Sequence, residues 1–171
     1  MDIQILEPNA VSWEAYKKLR LKALKEEPQA FATQFKTEIN TPDEEWEKRL
    51  KQYRDGKSDW MFFASNGLEL VGMLGAYQTD KDKRQSSANI IAMFVSTEAR
   101  GKGVSKLLMI RLLDRLTKSF VTKVKLQVNK DQVAALKLYQ SFGFKITGKE
   151  NIILGDGKSH TEYDLEKELE L

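Results

Sequence analysis

The chain reads as an α+β protein in three layers, α/β/α, around a mixed and mostly antiparallel sheet of about seven strands, with about four helices. Three observations point there. Runs rich in aromatic and β-branched residues follow one another over residues 60–95 with no helix between them. An apolar strand then enters an amphipathic helix and returns to a strand, which makes residues 90–128 a crossover unit with parallel strands. Last, two runs flank Gly155-Asp156-Gly157 as a closing hairpin.

The elements follow in order. Ile3 and Ile5 sit in a short first strand closed by Pro8. Trp13, Tyr16, Leu19, Ala23 and Leu24 recur every three to four residues on one helix face, and Pro28 ends that helix. Residues 31–40 show no clean period and read as a loop over the surface. Thr41-Pro42-Asp43-Glu44 reads as a capping box opening a helix that carries Trp46, Leu50 and Tyr53 and stops before Asp55-Gly56. Strands at 60–64, 68–77 and 87–95 are separated by Asn66-Gly67, a tight-hairpin signal, and by a charged loop at 79–85. Ser105, Met109, Leu112, Leu113, Leu116 and Phe120 form one broad helical stripe. Val124, Leu126 and Val128 alternate with Lys123, Lys125 and Gln127, as in a half-exposed or edge strand. Asp131 can cap a final helix that Gly143 terminates. In the closing hairpin Tyr163 and Leu165 face one way, Glu162 and Asp164 the other.

At 171 residues, 41% of them hydrophobic, the chain is sized for one domain, taken as 1–171, with a core of its own. It has no cysteine, which excludes disulfides, thiolate metal sites and a cysteine nucleophile. Neither a charged-then-apolar leader nor an apolar run of about 20 residues is present, so a cytoplasmic protein with no membrane partner is expected. The 28 basic and 25 acidic residues give a net charge of +3 and are interspersed, which does not call for nucleic acid. Lysine clusters at 17–18, 48–51 and 81–84 read as solvated faces or loops. His160, the one histidine, reads as a solitary surface residue, and no metal is expected.

Residues 93–105 run from the apolar strand through a glycine-punctuated basic turn into the long helix. Gly101 and Gly103 let the backbone turn tightly and approach a ligand, and the first N–H groups of the helix point outward with the positive end of its dipole. Arg100, Lys102 and Lys106 add formal charge. That combination holds phosphate, although the turn alone also fits an ordinary surface turn. It is neither Gly-x-x-x-x-Gly-Lys-Ser/Thr nor Gly-x-Gly-x-x-Gly, because Lys106 stands where a third glycine would be.

A second motif follows: Leu126-Gln127-Val128-Asn129, then Gln132, Ala135, Leu138-Tyr139 and Phe142-Gly143-Phe144. With the turn at Arg100-Gly101-Lys102-Gly103-Val104-Ser105, the chain resembles the GNAT superfamily of acyl-CoA-dependent N-acetyltransferases. The order of elements matches over essentially the whole chain, and the specific motifs occupy residues 90–144. Ser105 replaces the final glycine of the family's turn, and Gln132 stands where the family commonly has asparagine.

The resemblance implies acetyl-CoA as cosubstrate and a small-molecule or peptide amine as acceptor, with room left for a homodimer. It implies that the strand before the turn splays from its parallel partner. The backbone of Met93, Phe94 and Val95 would then bind the pantetheine arm, and the turn from Arg100 to Ser105 would hold the pyrophosphate. Gln132, with Asn129 as a second candidate, would supply the carboxamide contact. An N–H near Met93 would stabilise the oxyanion, and Tyr139 would protonate the leaving thiolate. Periodicity alone makes Tyr139 a core aromatic; the match to the family position reverses that reading. The general base stays open among water, Glu38 and Asp164. Two rival readings are a non-catalytic acetyl-CoA sensor and a phosphate-anchored regulatory domain.

Overall fold

The computed structural model describes residues 2–80 and 86–170. Seven strands, β1 (Gln4–Leu6), β2 (Asp59–Ser65), β3 (Leu70–Asp80), β4 (Ser87–Val95), β5 (Lys123–Asn129), β6 (Lys145–Ile153) and β7 (Ser159–Glu168), form one sheet in the order β1-β2-β3-β4-β5-β7-β6. Every neighbouring pair is antiparallel except β4 with β5. The helices are α1 (Trp13–Glu26), α2 (Phe35–Glu38), α3 (Asp43–Asp55), α4 (Val104–Lys118) and α5 (Val133–Ser141). The lysine cluster expected at 81–84 lies outside the described residues. Among the described residues no helix is long and apolar enough to cross a membrane.

Alternation along the strands builds the layers. Trp60, Phe62 and Ala64 of β2 pack with Leu108, Met109, Leu112 and Leu116 of α4 on one face of the sheet. Met61 and Phe63 turn to the other face and meet Tyr16, Leu19 and Leu24 of α1 and Trp46 and Leu50 of α3. Both faces of the inner strands are therefore buried, as their apolar runs require.

Several local expectations are corrected. Helix α3 is N-capped by Pro42 without a side-chain bond, so the Thr41 capping box is not formed; Asp43, Glu44 and Glu45 complement the helix dipole instead. Asp131 does not cap α5, whose N-cap is Gln132. The Asn66-Gly67 hairpin is a four-residue loop in which Asn66 Oδ1 accepts from the N–H groups of Leu68 and Glu69 at 2.9 Å. Phe120 leaves the α4 stripe: it sits past the helix end at φ +60° and is 72% exposed. Strand β5 is interior, bonded by β4 on one side and β7 on the other. Residues 31–40 are not a surface loop, since Phe31 and Glu38 are buried and α2 forms among them.

The feature that makes the site is an irregularity in β4. Its parallel pairing to β5 stops at Asn89 opposite Lys125, although both strands run on, so the two part as the resemblance implied. Just beyond, Ala92 and Met93 stand opposite the single residue Leu74, a bulge in which Ala92 adopts φ +61°. A left-handed alanine costs about 1 kcal/mol that glycine would not. Ala92→Gly is therefore expected to leave stability unchanged or raise it by up to about 1 kcal/mol in urea denaturation, where the same change in a regular strand costs about as much.

Candidate active site

Strand β4 ends at Ser96, whose Oγ donates to the Val71 carbonyl at 3.1 Å and fixes the direction in which the chain leaves the sheet. One 3-10 turn later come Arg100 and the two glycines. Gly101 and Gly103 adopt φ +73° and +76°, and a Cβ built at either would meet nothing within 4 Å. The turn thus lies open along a groove of about 280 Å³ between β4, the start of α4 and the Ala134, Ala135 and Leu138 wall of α5. Met93, Phe94, Val95, Arg100, Gly101, Gly103, Val104, Ser105 and Gln132 all line it. The open cradle, with a helix N-terminus at its end, fits the pyrophosphate and pantetheine of acetyl-CoA.

The charges around the turn are already engaged. Arg100 donates from Nε to the Val95 carbonyl at 3.0 Å and from a terminal nitrogen to Glu27 at 2.6 Å. Lys102 is outside the groove wall, and its Nζ donates to the Glu98 carbonyl at 2.8 Å. Both side chains brace the turn, and no sequence signal pointed to Glu27 as the partner.

Where β4 and β5 part, a narrow neck of about 80 Å³ opens, lined by residues of both strands with Gln132 and Tyr139 from the α5 side. Tyr139 is 5% exposed and packs edge-on against Phe144, with centroids 6.0 Å apart. Burial pushes its phenol above the ordinary tyrosine range, so it is protonated at neutral pH. Asn129 also lines the neck, but its carboxamide is occupied: Nδ2 donates to the Gln29 carbonyl at 3.0 Å and Oδ1 accepts from the Asp131 N–H at 3.0 Å. The Gln132 carboxamide has no such bond among the described residues. His160 is no solitary surface residue. Its ring lies 3.1 Å from Asn129 Nδ2 and 2.8 Å from Asp156, an arrangement that a neutral ring satisfies by donating from Nε2 and accepting at Nδ1.

Beyond the neck a cavity of about 620 Å³ opens under α1, α2 and α3 and reaches β6 and β7. Residues 31–38 roof it, held down where the Gly155 N–H donates to the Phe31 carbonyl at 2.6 Å. Glu38 accepts from Arg49 at 2.6 Å with Arg20 3.7 Å away, and Asp164 accepts from Gln127 at 3.2 Å. The two carboxylates considered from sequence are thus both engaged. Glu162, which sequence reasoning passed over, is 9% exposed and lines the cavity, and its carboxylate has no partner among the described residues. Burial first, then Glu150 and Asp164, push its carboxyl above the usual range, with His160 opposing.

Groove, neck and cavity form one passage. Met93 and Gln132 line groove and neck; Ile90, Ile91, Ala92 and Gln127 line neck and cavity. The parted parallel pair and the open glycine turn thus lie along the same passage. The profile of the acetyltransferase (GNAT) domain family matches residues 21–167, and the chain belongs to that family. Human N-acetyltransferase 8 is 31% identical over 100 residues, which are 58% of this chain and 44% of that protein. The mycothiol acetyltransferase of Brachybacterium faecium is 30% identical over 104 residues, 61% of this chain and 31% of that protein. The chain thus matches less than half the length of these relatives. Among solved structures, a GNAT-family acetyltransferase from Streptococcus pneumoniae superposes with a TM-score of 0.77 at 19% identity, covering 98% of this chain and all of that one. A Salmonella typhimurium protein solved with acetyl-CoA also gives 0.77, at 15% identity over 100% of this chain and 95% of that one. At these identities the likeness is one of fold.

Proposed function

We propose that residues 1–171 act as one unit that transfers the acetyl group of acetyl-CoA directly to a primary amine of a small molecule or peptide. The observation that carries this reading is the continuous passage across the sheet, with a phosphate cradle at one end and a separate cavity at the other. A sensor would need only the groove; the cavity beyond Tyr139 favours turnover.

In this reading Gly101, Gly103 and the α4 N-terminus hold the pyrophosphate, while the backbone of residues 93–95 and Gln132 align the pantetheine arm. Bound there, acetyl-CoA supplies the thioester electrophile. The amine enters from the cavity, and its lone pair forms the C–N bond as the C–S bond breaks. Met93 sits in the bulge, where the ladder to β3 is interrupted, and its N–H donates to the carbonyl oxygen as negative charge develops. Tyr139 gives its proton to the departing thiolate and recovers one from the acylated nitrogen through solvent. No covalent enzyme intermediate is needed, in keeping with a chain that has no cysteine.

Thiol release from acetyl-CoA over a panel of amines tests the proposal: release is expected to require an amine, and release with none of them would contradict it. A second expectation concerns binding. Acetyl-CoA should bind in preference to ATP or NAD, and its affinity in calorimetry should fall as salt rises, because helix-terminal N–H groups and the Arg100 guanidinium, which lines the groove, make charge-assisted contacts. No binding heat at low salt would remove the groove from the account.

A further inference from the structure

We infer that the larger cavity takes an elongated acceptor with opposite charges at its two ends, its ammonium at Glu162 and a carboxylate or similar anion at Arg20 and Arg49. The inference rests on the transfer reading above and narrows its acceptor.

The walls of the cavity are charged unequally. Under α1, α2 and α3, two guanidinium groups share one oxygen of Glu38, at 2.6 Å from Arg49 and 3.7 Å from Arg20, and among the described residues Glu38 is the only acid in that wall. The uncharged remainder of that end includes Tyr16, Phe31, Tyr53 and Met61, so two guanidinium groups against one carboxylate leave one positive charge over. An anionic group arriving there finds guanidinium donors that Glu38 does not saturate.

The opposite wall, from β5, β6 and β7, carries Glu150 and Glu162 and, among the described residues, no lysine or arginine. Glu162 is nine-tenths buried, faces the cavity and lacks a partner among the described residues. A carboxylate in that position is costly unless a cation comes to it. It also stands beside the neck, since its register partner on β5 is the neck residue Asn129. An ammonium drawn to Glu162 is therefore delivered where the acetyl group arrives.

Length follows from the strand order. α3 packs on β2, and four strand spacings separate β2 from β7, roughly 19 Å between backbones before side chains reach inward. An amino acid with its amine well removed from its carboxylate, or a short peptide, matches that span. A polyamine does not, because its second cation would face Arg20 and Arg49.

Glu162 also takes part in the proton balance. It accepts one proton from the ammonium to free the attacking lone pair and later releases it to solvent, so one proton leaves per turnover while Tyr139 cycles as above. The titratable groups facing it are Glu150 from β6 and Asp164 and His160 from its own strand; Asn129 and Gln127 on β5 do not titrate. The acids and burial raise its pKa, so the fraction of enzyme with a competent base grows as pH rises through that raised value.

The test compares ε-aminocaproate with its neutral carboxamide and with spermidine, using acetyl-CoA and thiol release. The carboxylate acceptor is expected to show a kcat/KM at least about tenfold above its carboxamide. Arg49→Gln cancels the surplus charge yet leaves Arg20 opposite Glu38, so no acid is stranded; the preference should collapse through a raised KM for the carboxylate acceptor. Glu162→Gln should lower kcat about 10²-fold and abolish the acidic limb of its pH profile, with no loss of Tm at neutral pH, because a costly buried charge has been removed. Equal rates for carboxylate and carboxamide, or a preference for spermidine, would overturn the inference. If no amine is acetylated, the transfer reading has failed; calorimetry of ε-aminocaproate against the acetyl-CoA-loaded protein then decides this one. Binding lost in Arg49→Gln supports it, and absence of binding overturns it.

Discussion

Tyr139→Phe is expected to lower the single-turnover rate of acetyl transfer by about 10²-fold or more while leaving cofactor binding and stability close to those of the parent. The substitution keeps the ring, its edge-on contact with Phe144 and its place in the neck, and deletes only the hydroxyl. Were Tyr139 a core aromatic alone, the change would shift stability by no more than about 1 kcal/mol and leave turnover untouched. Because burial raises the phenol above its ordinary pKa, the hydroxyl is a donor throughout the neutral range, and no alkaline fall in rate there should trace to it. Single-turnover conditions matter because slow product release would hide the loss. An undiminished rate would remove Tyr139 from the mechanism and leave water to protonate the thiolate.

Gly103→Val should raise the Kd for acetyl-CoA by about 10²-fold, equivalent to about 2.7 kcal/mol, and Lys106→Ala by much less. The protein itself has room for a side chain at Gly103, so the damage falls on the space reserved for the ligand. Left-handed backbone adds strain, and Gly103→Asn separates the two effects. Asparagine tolerates that backbone yet still fills the cradle, so it should lose most of the affinity as well. Lys106 is exposed and absent from the groove wall, and an exposed charge contributes little. If the lysine change proved the worse of the two in calorimetry, the backbone cradle would be the wrong explanation of binding.

What was legible in the sequence is what local pattern controls. The β4-turn-α4-β5 crossover could be read because its strands, its helix stripe and its glycines each carry a signal within a few residues, and the seven-stranded sheet followed; the parting of the parallel pair was implied by the family resemblance alone. The bulge at Ala92 was not legible, because no glycine marks the left-handed residue and only the pairing to Leu74 reveals it. Glu162 escaped for a related reason. Period two separated it from Tyr163 and Leu165 but left open what covers its face; residues 31–38 and the helices above it cover that face and turn it into a cavity wall. The roof itself comes from long-range contacts, such as Gly155 to Phe31, which no local period records. His160 and Asn129 form a similar case: each looked free in sequence, yet they are tied to one another, and Asn129 is tied as well to the distant Gln29. At Arg100 the charge was visible but not its partner Glu27, which lies far back in the chain.

The central claim is that both substrates meet in the neck and the acetyl group passes directly between them. Initial rates of thiol release with acetyl-CoA and a competent amine varied together test it most directly. Direct transfer through a ternary complex predicts intersecting double-reciprocal lines and no acetylated protein when the amine is left out. Parallel lines, with acetyl groups bound covalently to the enzyme in the absence of amine, would contradict it.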